Sequence, residues 1–310
     1  MIDLSATVTP SVIDDQRLFE QGVLRTVLYS DLFDYALTPA EIARYLIGCA
    51  ATLAQVQAAL DNSIWLNERV TQVEGYVVAR GREALVRRRL DRSRTSDRLW
   101  VRARRLTHIL GLLPFVRMIG VTGALAMNNA SATDDIDVMI VTAPDRVWLT
   151  RALAVGLVYA GKLFGDTLCP NYVISERVLA LENHSLFVAH EFSQMVPVYG
   201  FDVYARLVCA NEWIATWLPN AMRNLRPETE PRLSGIGHGL KHGLERLLSG
   251  RVGTWLERWE MRRKLRKFQP QLGRPDGDAV LDRDHVKGHF DDYGGPVMRL
   301  YAERLAQYEA

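Results

Sequence analysis

The chain has 310 residues, of which 48% are hydrophobic and 24% charged, and its formal net charge is +2 at pH 7. This composition is typical of a globular protein with two or three domains and enough apolar residues for a large core. Because the net charge is small, the molecule as a whole is no polycation, and any contact with nucleic acid would come from a local patch.

The location of the protein is predicted from its cysteines and its apolar stretches. Cys49, Cys169 and Cys209 lie far apart and form no Cys-x-x-Cys pair, so neither a disulfide framework nor a zinc ribbon is indicated. The N-terminus lacks the basic and apolar regions of a signal peptide. The most apolar stretch, residues 152–164, is too short to span a bilayer. We therefore expect a cytoplasmic protein without a membrane partner.

Residues 1–82 have the pattern of a winged-helix-like domain. Apolar residues recur at helical spacing over residues 16–33, and Thr38 and Thr52 are placed as N-caps of two further short helices. Short β-type runs follow at residues 64–66, 70–73 and 76–78. Three helices followed by a hairpin is the order of a winged helix. Such domains serve protein contacts as well as DNA contacts, so DNA contact remains a weaker alternative.

Residues 83–114 predict a connecting helix that is rich in arginine. Lys/Arg clusters can neutralise phosphates, which would make this helix a nucleic-acid surface. Arginine is also common on solvated helices, where Glu83, Asp91 and Asp97 would be its partners. We favour the salt-bridged helix, since Trp100 is the only aromatic side chain available for stacking on bases in this run.

The remaining chain divides into a mixed segment, residues 115–225, and a helical region, residues 226–310. Strands are predicted at residues 116–121, 136–141 and 171–175, a helical turn at 125–129, and a long helix from Pro144 to Phe164. Prolines and glycines make residues 226–243 the expected linker or mobile loop. Two Trp pairs at i, i+4 spacing, Trp213/Trp217 and Trp255/Trp259, predict packing between helices, with a wall for a nucleobase as the alternative.

An acidic pair follows a glycine turn in the mixed segment. Gly123 comes directly after an apolar strand, and Asp135 and Asp137 flank Ile136 at the start of the next one. Because side chains alternate along a strand, the two carboxylates are expected on one face. Mg²⁺ prefers oxygen ligands and often takes one or two carboxylates together with substrate phosphates. The backbone N–H groups after Gly123 would face a triphosphate. A solvated strand end is the competing interpretation.

Residues 116–142 resemble the nucleotidyltransferase superfamily that includes DNA polymerase beta. The matching features are the glycine turn after a first strand, a polar loop of about ten residues, and Asp-Ile-Asp leading into an apolar second strand. The resemblance implies an α+β fold with a nucleotidyltransferase-type mixed sheet, preceded by the winged-helix-like domain and followed by the helical region. It also implies nucleotide-binding roles for Thr122, Gly123, Ala124, Asn128 and Ser131.

The activity implied by the resemblance is transfer of a nucleoside monophosphate from an NTP, with ATP as the first candidate, to a hydroxyl of an unidentified small molecule, protein or RNA. Asp135 and Asp137 would hold Mg²⁺, or Mn²⁺ in its place. Two departures from the family pattern concern Ala124, where Ser or Gly is usual, and Asn171, where the family has a third carboxylate. Asp166 or Glu176 would be the substitutes for that carboxylate. Asn171 is retained as the third member of the catalytic set.

The sequence leaves open an alternative function and the role of a His-Glu pair. A degenerate transferase core would make the protein a non-catalytic nucleotide sensor or nucleic-acid binder. The pair His190-Glu191 on a predicted helix lacks a second His four residues on, so a structural hydrogen bond or a substrate contact is favoured over metal binding.

Overall fold

The structure is a computed structural model that describes residues 10–162, 168–222, 235–272, 280–287 and 293–309. The first helices are α1 (Pro10–Asp31), α2 (Pro39–Arg44), α3 (Leu53–Asn62), α4 (Ile64–Asn67), α5 (Ala84–Gly111), α6 (Gly123–Ala126) and α7 (Val147–Lys162). Those that follow are α8 (Leu186–Gln194), α9 (Phe201–Cys209), α10 (Ile214–Trp217), α11 (Gly235–Ser249), α12 (Arg251–Leu272) and α13 (Gly294–Glu309). The strands are β1 (Val70–Val73), β2 (Tyr76–Ala79), β3 (Val116–Val121), β4 (Ile136–Thr142), β5 (Leu168–Ser175), β6 (Val196–Tyr199) and β7 (His285–Lys287).

The fold is mixed α+β, as the sequence predicts at this coarser level, and it forms two compact units. The first consists of Met1–Leu90, Trp213–Asn224 and Val297–Ala310, and the second of Asp91–Glu212 and Leu225–Pro296. The division therefore falls within α5, whereas the sequence suggested a boundary near residue 82. None of the helices in the described ranges combines the length and apolar character that crossing a membrane requires.

Local capping signals account for the short helices of the first unit. Thr38 and Thr52 each form a complete capping box, with Glu41 and Gln55 as the reciprocal partners. The β-type run predicted at residues 64–66 is wrong, because these residues form the single-turn helix α4. The hydroxyl of Ser63 accepts a hydrogen bond from the N–H of Leu66 and thereby caps that turn.

The small sheet of the first unit is a hairpin with one added bridge. β1 and β2 pair antiparallel through a turn at Glu74 and Gly75, both with positive φ. Leu37, which precedes α2, exchanges backbone hydrogen bonds with Val77 of β2 at 3.2 and 2.6 Å. The element order is therefore helix, bridge residue, two helices and a hairpin.

The arginine-rich helix α5 is salt-bridged, although mostly not through the acids expected from the sequence. Arg82, two residues before the helix, and Arg88 pair with Asp34, and Arg89 pairs with Glu41 at 3.0 Å. These carboxylates come from the chain between α1 and α2 and from α2 itself. Sequence spacing could not identify them, because the contacts join residues about 50 positions apart.

The second unit is built on a five-stranded sheet in the order β6-β3-β4-β5-β7. β4 and β5 are parallel and α7 connects them, while the other neighbouring pairs are antiparallel. The central position of β4 explains its apolar run: Ile136, Val138 and Ile140 are buried in the main core. The edge strand β7 comes from the C-terminal region, which the sequence predicts as helical.

The C-terminal region departs from the sequence prediction at two places. Residues 226–234 of the expected linker lie outside the described residues, but residues 235–243 belong to helix α11. The buried Lys241 ammonium donates to the carbonyls of Gly111 and Val116 at 2.8 and 2.7 Å, which anchors α11 despite its glycines. The prediction of core packing is wrong for Trp255 and Trp259, which are 61% and 48% exposed.

Candidate functional site

The glycine turn and Asp137 lie side by side on the antiparallel strands β3 and β4. The N–H of Thr122 donates to the backbone carbonyl of Asp137 at 3.0 Å. Gly123 has φ +66°, a left-handed conformation that favours glycine, and a Cβ added there would lie 2.8 Å from Asp137 Oδ2. The backbone of the turn therefore approaches the carboxylate more closely than a side chain at position 123 would permit.

The two aspartates differ in their surroundings. Asp137 lies within β4 and is partly buried, whereas Asp135 precedes the strand and is exposed. The pKa of Asp137 is raised to about 6, mainly by burial and also by the charges of Asp135 and Asp134, against the opposing effect of the Asn171 hydrogen bond. The negative charge of Asp137 is thus costly without a cation nearby.

Asn171 holds the Asp137 carboxylate from the neighbouring strand. In the β4/β5 register Val138 lies opposite Pro170 and Met139 opposite Tyr172, so Asn171 is the extra residue of a β-bulge. Its Nδ2 donates to Asp137 Oδ1 at 2.6 Å, and its Oδ1 accepts from the Cys169 thiol at 2.8 Å. Since an amide cannot take up a proton at neutral pH, Asn171 orients the carboxylate and does not serve as a base.

The substitutes that the sequence suggested for the third carboxylate are not at this position. Glu176 follows the far end of β5: its N–H donates to the carbonyl of Thr142, and its carboxylate pairs with Arg206 at 2.8 Å. Thr142 lies five positions beyond Asp137 in β4, which is about 16 Å along the strand. Glu176 therefore cannot reach the site, and Asp166 lies outside the described residues.

A different carboxylate, Glu191 of α8, is close enough to Asp137 for their charges to interact. Helix α8 packs against the short helix α6 that begins at Gly123. The pKa of Glu191 is raised to about 7, mainly by burial and also by the charge of Asp137, against the opposing effect of the Lys287 ammonium on β7. Sequence reasoning noted Glu191 only as the neighbour of His190. An acidic residue among the apolar residues of a helix was the available signal, but its partner could not be read from spacing.

His190, which precedes Glu191 in α8, is buried and forms a hydrogen bond within the protein. It is 2% exposed, and burial lowers the pKa of its imidazole to about 3, so the ring is neutral at physiological pH. Its Nδ1 lies 3.3 Å from the Nε2 of Gln194, one turn further along α8. A hydrogen bond within the structure, which the sequence favoured over metal binding, is therefore present.

Two of the predicted nucleotide-binding residues, Asn128 and Ser131, form hydrogen bonds that stabilise the loop between α6 and β4. The N–H of Ser131 donates to the Asp134 carboxylate at 2.9 Å, and Asn128 Oδ1 accepts from the Trp100 indole at 2.8 Å. The side chain of Thr122 makes no capping hydrogen bond to α6, and Ala124 packs against the main core. These hydrogen bonds stabilise the loop that runs from the glycine turn to Asp135. Contacts of the loop with a phosphate remain a prediction.

The donor set fits a hard cation with few protein ligands. Among the residues that the structure describes, no group of three or more His, Cys, Asp or Glu side chains is arranged to hold a metal ion. Mg²⁺ does not require one, because it usually keeps several waters and binds one or two carboxylates plus substrate phosphates. Asp135 and Asp137, whose charges interact, are carboxylates of this kind. A structural zinc or calcium cage, by contrast, would need more ligands.

Comparison with known proteins identifies no relative: no family model, curated protein or solved structure matches the chain. Function is therefore inferred from the residues of the site.

Proposed function

We propose that the protein is a Mg²⁺-dependent nucleotidyltransferase that moves an NMP from an NTP to a hydroxyl-bearing acceptor. One observation carries the proposal: the Gly123 turn, the Asp137 carboxylate and the Glu191 helix meet at the same end of β3 and β4. A close backbone turn beside paired carboxylates is the arrangement that a phosphate chain and its metal ion need. The β3-turn-α6-β4 order and the parallel β5 support a nucleotidyltransferase-type sheet.

In the proposed reaction, the acceptor hydroxyl oxygen bonds to the α-phosphorus of the NTP, and the bond from that phosphorus to the α,β-bridging oxygen breaks. Pyrophosphate leaves, and the hydroxyl proton passes to a base. Mg²⁺, when bound, neutralises the phosphate charge and aligns attacking and leaving oxygens. Asp135 and Asp137 would hold the ion, and Asn171 keeps the Asp137 carboxylate in a fixed orientation through its 2.6 Å hydrogen bond.

Glu191 is the best candidate for the base. A general base works best when its pKa lies near the operating pH, and burial raises the pKa of Glu191 to about 7. The neighbouring Lys287 ammonium moderates that shift and supplies a positive charge near this carboxylate. Lys287 lies opposite Tyr172 in the β5/β7 pair, so the edge strand brings this cation to the site.

A non-catalytic nucleotide sensor is the second candidate, and Asn171 is the observation that favours it. Both polar ends of its amide are engaged, one by Asp137 and one by Cys169. Unless Glu191 receives the proton, the site described here would bind Mg²⁺ and nucleotide without transfer.

The element order of the first unit supports a winged-helix-like domain. Its third helix, however, lacks the positive charge that a DNA-binding helix needs. α3 contains no Lys or Arg in its ten residues. Because phosphate contacts supply most of the affinity for DNA, we favour a protein contact for this unit.

Calorimetry with each NTP, with and without Mg²⁺, tests binding. We expect Mg²⁺-dependent binding that Asp137→Asn weakens by tenfold or more, since one charge-assisted ligand is lost, worth roughly 1.5–3 kcal/mol. Absence of Mg²⁺-dependent binding of any NTP would refute the proposal, and unchanged binding in Asp137→Asn would remove the metal role of that residue.

Pyrophosphate release, with mass spectrometry of the nucleotidylated product from cell extract, tests transfer. We expect Glu191→Gln to retain NTP binding and to lower the transfer rate by about 10²–10⁴-fold, as removal of a general base does. Glu176→Gln is the matched control, because it removes a carboxylate from the far end of β5 and should leave transfer unchanged. If the wild type binds NTP and transfers nothing, the sensor is the correct function.

A further inference from the structure

The solvent side of α12 carries two tryptophans among arginines. Along a helix with 3.6 residues per turn, six residues fall within an arc of about 100°. All six are exposed, and we call them the α12 outer face: Arg251, Trp255, Arg258, Trp259, Arg262 and Arg266. On the adjacent side of the helix, next to Arg258, Met261 and Leu265 pack against the main core.

The positive charge of the α12 outer face is not balanced by acids of the helix itself. The two acidic residues of α12 point inward: Glu257 is 7% exposed and accepts from the N–H groups of Trp148 and Leu149, and Glu260 is 4% exposed and pairs with Arg263. Within the described ranges, none of the four arginines of the face forms an ion pair. The arginines at the start of α5, in contrast, pair with Asp34 and Glu41.

The two tryptophan rings form an aromatic platform within this charge. Their centroids lie 6.3 Å apart with an angle of 18° between the ring planes. Trp255 is 61% exposed and Trp259 48% exposed. Both indole rings therefore keep a large apolar surface in contact with water, which a bound ligand could cover. The Arg263 guanidinium lies 5.3 Å from the Trp259 ring centroid, which adds a cation to the edge of the platform.

We propose that the α12 outer face binds single-stranded nucleic acid. The cations would follow the phosphate backbone while bases stack on the exposed indole rings, a combination that needs no sequence preference. The proposal is independent of the transfer reaction and of the first unit. An anionic membrane is less well matched: a helix lying in a membrane has separate apolar and charged faces, whereas here arginine and tryptophan alternate on one face.

Fluorescence anisotropy of a labelled oligonucleotide tests the proposal, using the full chain without NTP or Mg²⁺. A single strand of about 12 nucleotides is within the site sizes of known single-strand binders. We expect Trp255→Ala and Trp259→Ala each to weaken binding by about tenfold or more, because base stacking on an aromatic ring contributes roughly 1–3 kcal/mol. Trp217→Ala, a partly exposed tryptophan of α10, is the control and should leave binding unchanged.

The salt dependence of binding tests the arginines. Each phosphate contact to a single strand adds about 0.7 to the slope of log K against log salt, so Arg258→Gln/Arg262→Gln should lower the slope by about 1.4. Arg98→Gln/Arg299→Gln removes the same charge from exposed positions elsewhere and should leave the slope unchanged.

Three results would overturn the proposal: no binding of the oligonucleotide by the wild type, equal losses in face and control variants, or a preference for the duplex of the same sequence. Sedimentation with phosphatidylglycerol vesicles completes the test. Vesicle binding without oligonucleotide binding would show that the face is a membrane surface.

Discussion

Replacement of Gly123 by alanine tests whether the turn and Asp137 act as one site. Position 123 has φ +66°, and an alanine methyl there would lie 2.8 Å from Asp137 Oδ2, well inside van der Waals contact. Two separate effects follow. The left-handed conformation costs an alanine roughly 1–2 kcal/mol of folding free energy. The carboxylate must also move away from the methyl group, by several tenths of an ångström.

Gly75→Ala separates these two effects. Gly75 has φ +79° and no atom within 4 Å of an added Cβ, so only the conformational cost applies there. Denaturant unfolding should therefore show a loss of stability of roughly 1–2 kcal/mol in Gly75→Ala and at least that in Gly123→Ala. Only Gly123→Ala should weaken Mg²⁺-dependent NTP binding, by tenfold or more, because small misplacements of a positioned group are costly. Calorimetry of both variants measures this. Normal NTP binding by a folded Gly123→Ala would mean that the turn and the carboxylate do not share a ligand.

Three further predictions concern buried charged and titratable groups. Lys241→Met leaves two buried carbonyls and a tyrosine hydroxyl without their donor and should lower the free energy of unfolding by about 3–5 kcal/mol, measured in urea; a change below 1 kcal/mol would contradict this anchor. Glu257→Gln, which weakens the cap on the first turn of α7, should cost about 0.5–2 kcal/mol in the same assay, and an unchanged midpoint would exclude the cap. His190 has a folded pKa of about 3, below its unfolded value, so the unfolded state takes up its proton first as the pH falls. The stability of the wild type relative to His190→Leu should therefore decrease by about 2 kcal/mol from pH 7 to pH 5, and a constant difference would show that the ring titrates normally.

The His190 comparison must be made between variants, because Glu191 acts in the opposite direction. Burial raises the pKa of Glu191 to about 7, so the folded state takes up that proton first and gains stability as the pH falls below 7. The two effects are of similar size between pH 7 and pH 5 and largely cancel in the wild type. The difference between wild type and His190→Leu removes the contribution that both proteins share.

Local signals in the sequence were sufficient for many elements of the fold. The N-caps Thr38 and Thr52, the long helix α5 and the central strand β4 were predicted from side chains a few positions apart. These features depend on hydrogen bonds and hydrophobic periodicity within one segment, so the segment alone carries the information. The Asp-x-Asp pair and its glycine turn were recognised for the same reason.

Only the tertiary structure brought Glu191, 54 residues further along the chain, close to Asp137, and Lys287, another 96 residues on, close to Glu191. It also placed Glu176 at the wrong end of β5 and turned Asn171 inward through a β-bulge. The pairing of strands and the docking of α8 decide these positions, and both depend on contacts between distant segments. Asp135 and Asp137 could thus be named from the sequence, whereas the burial that raises the pKa of Asp137 and the Asn171 hydrogen bond that opposes this shift are set by packing, which periodicity does not encode.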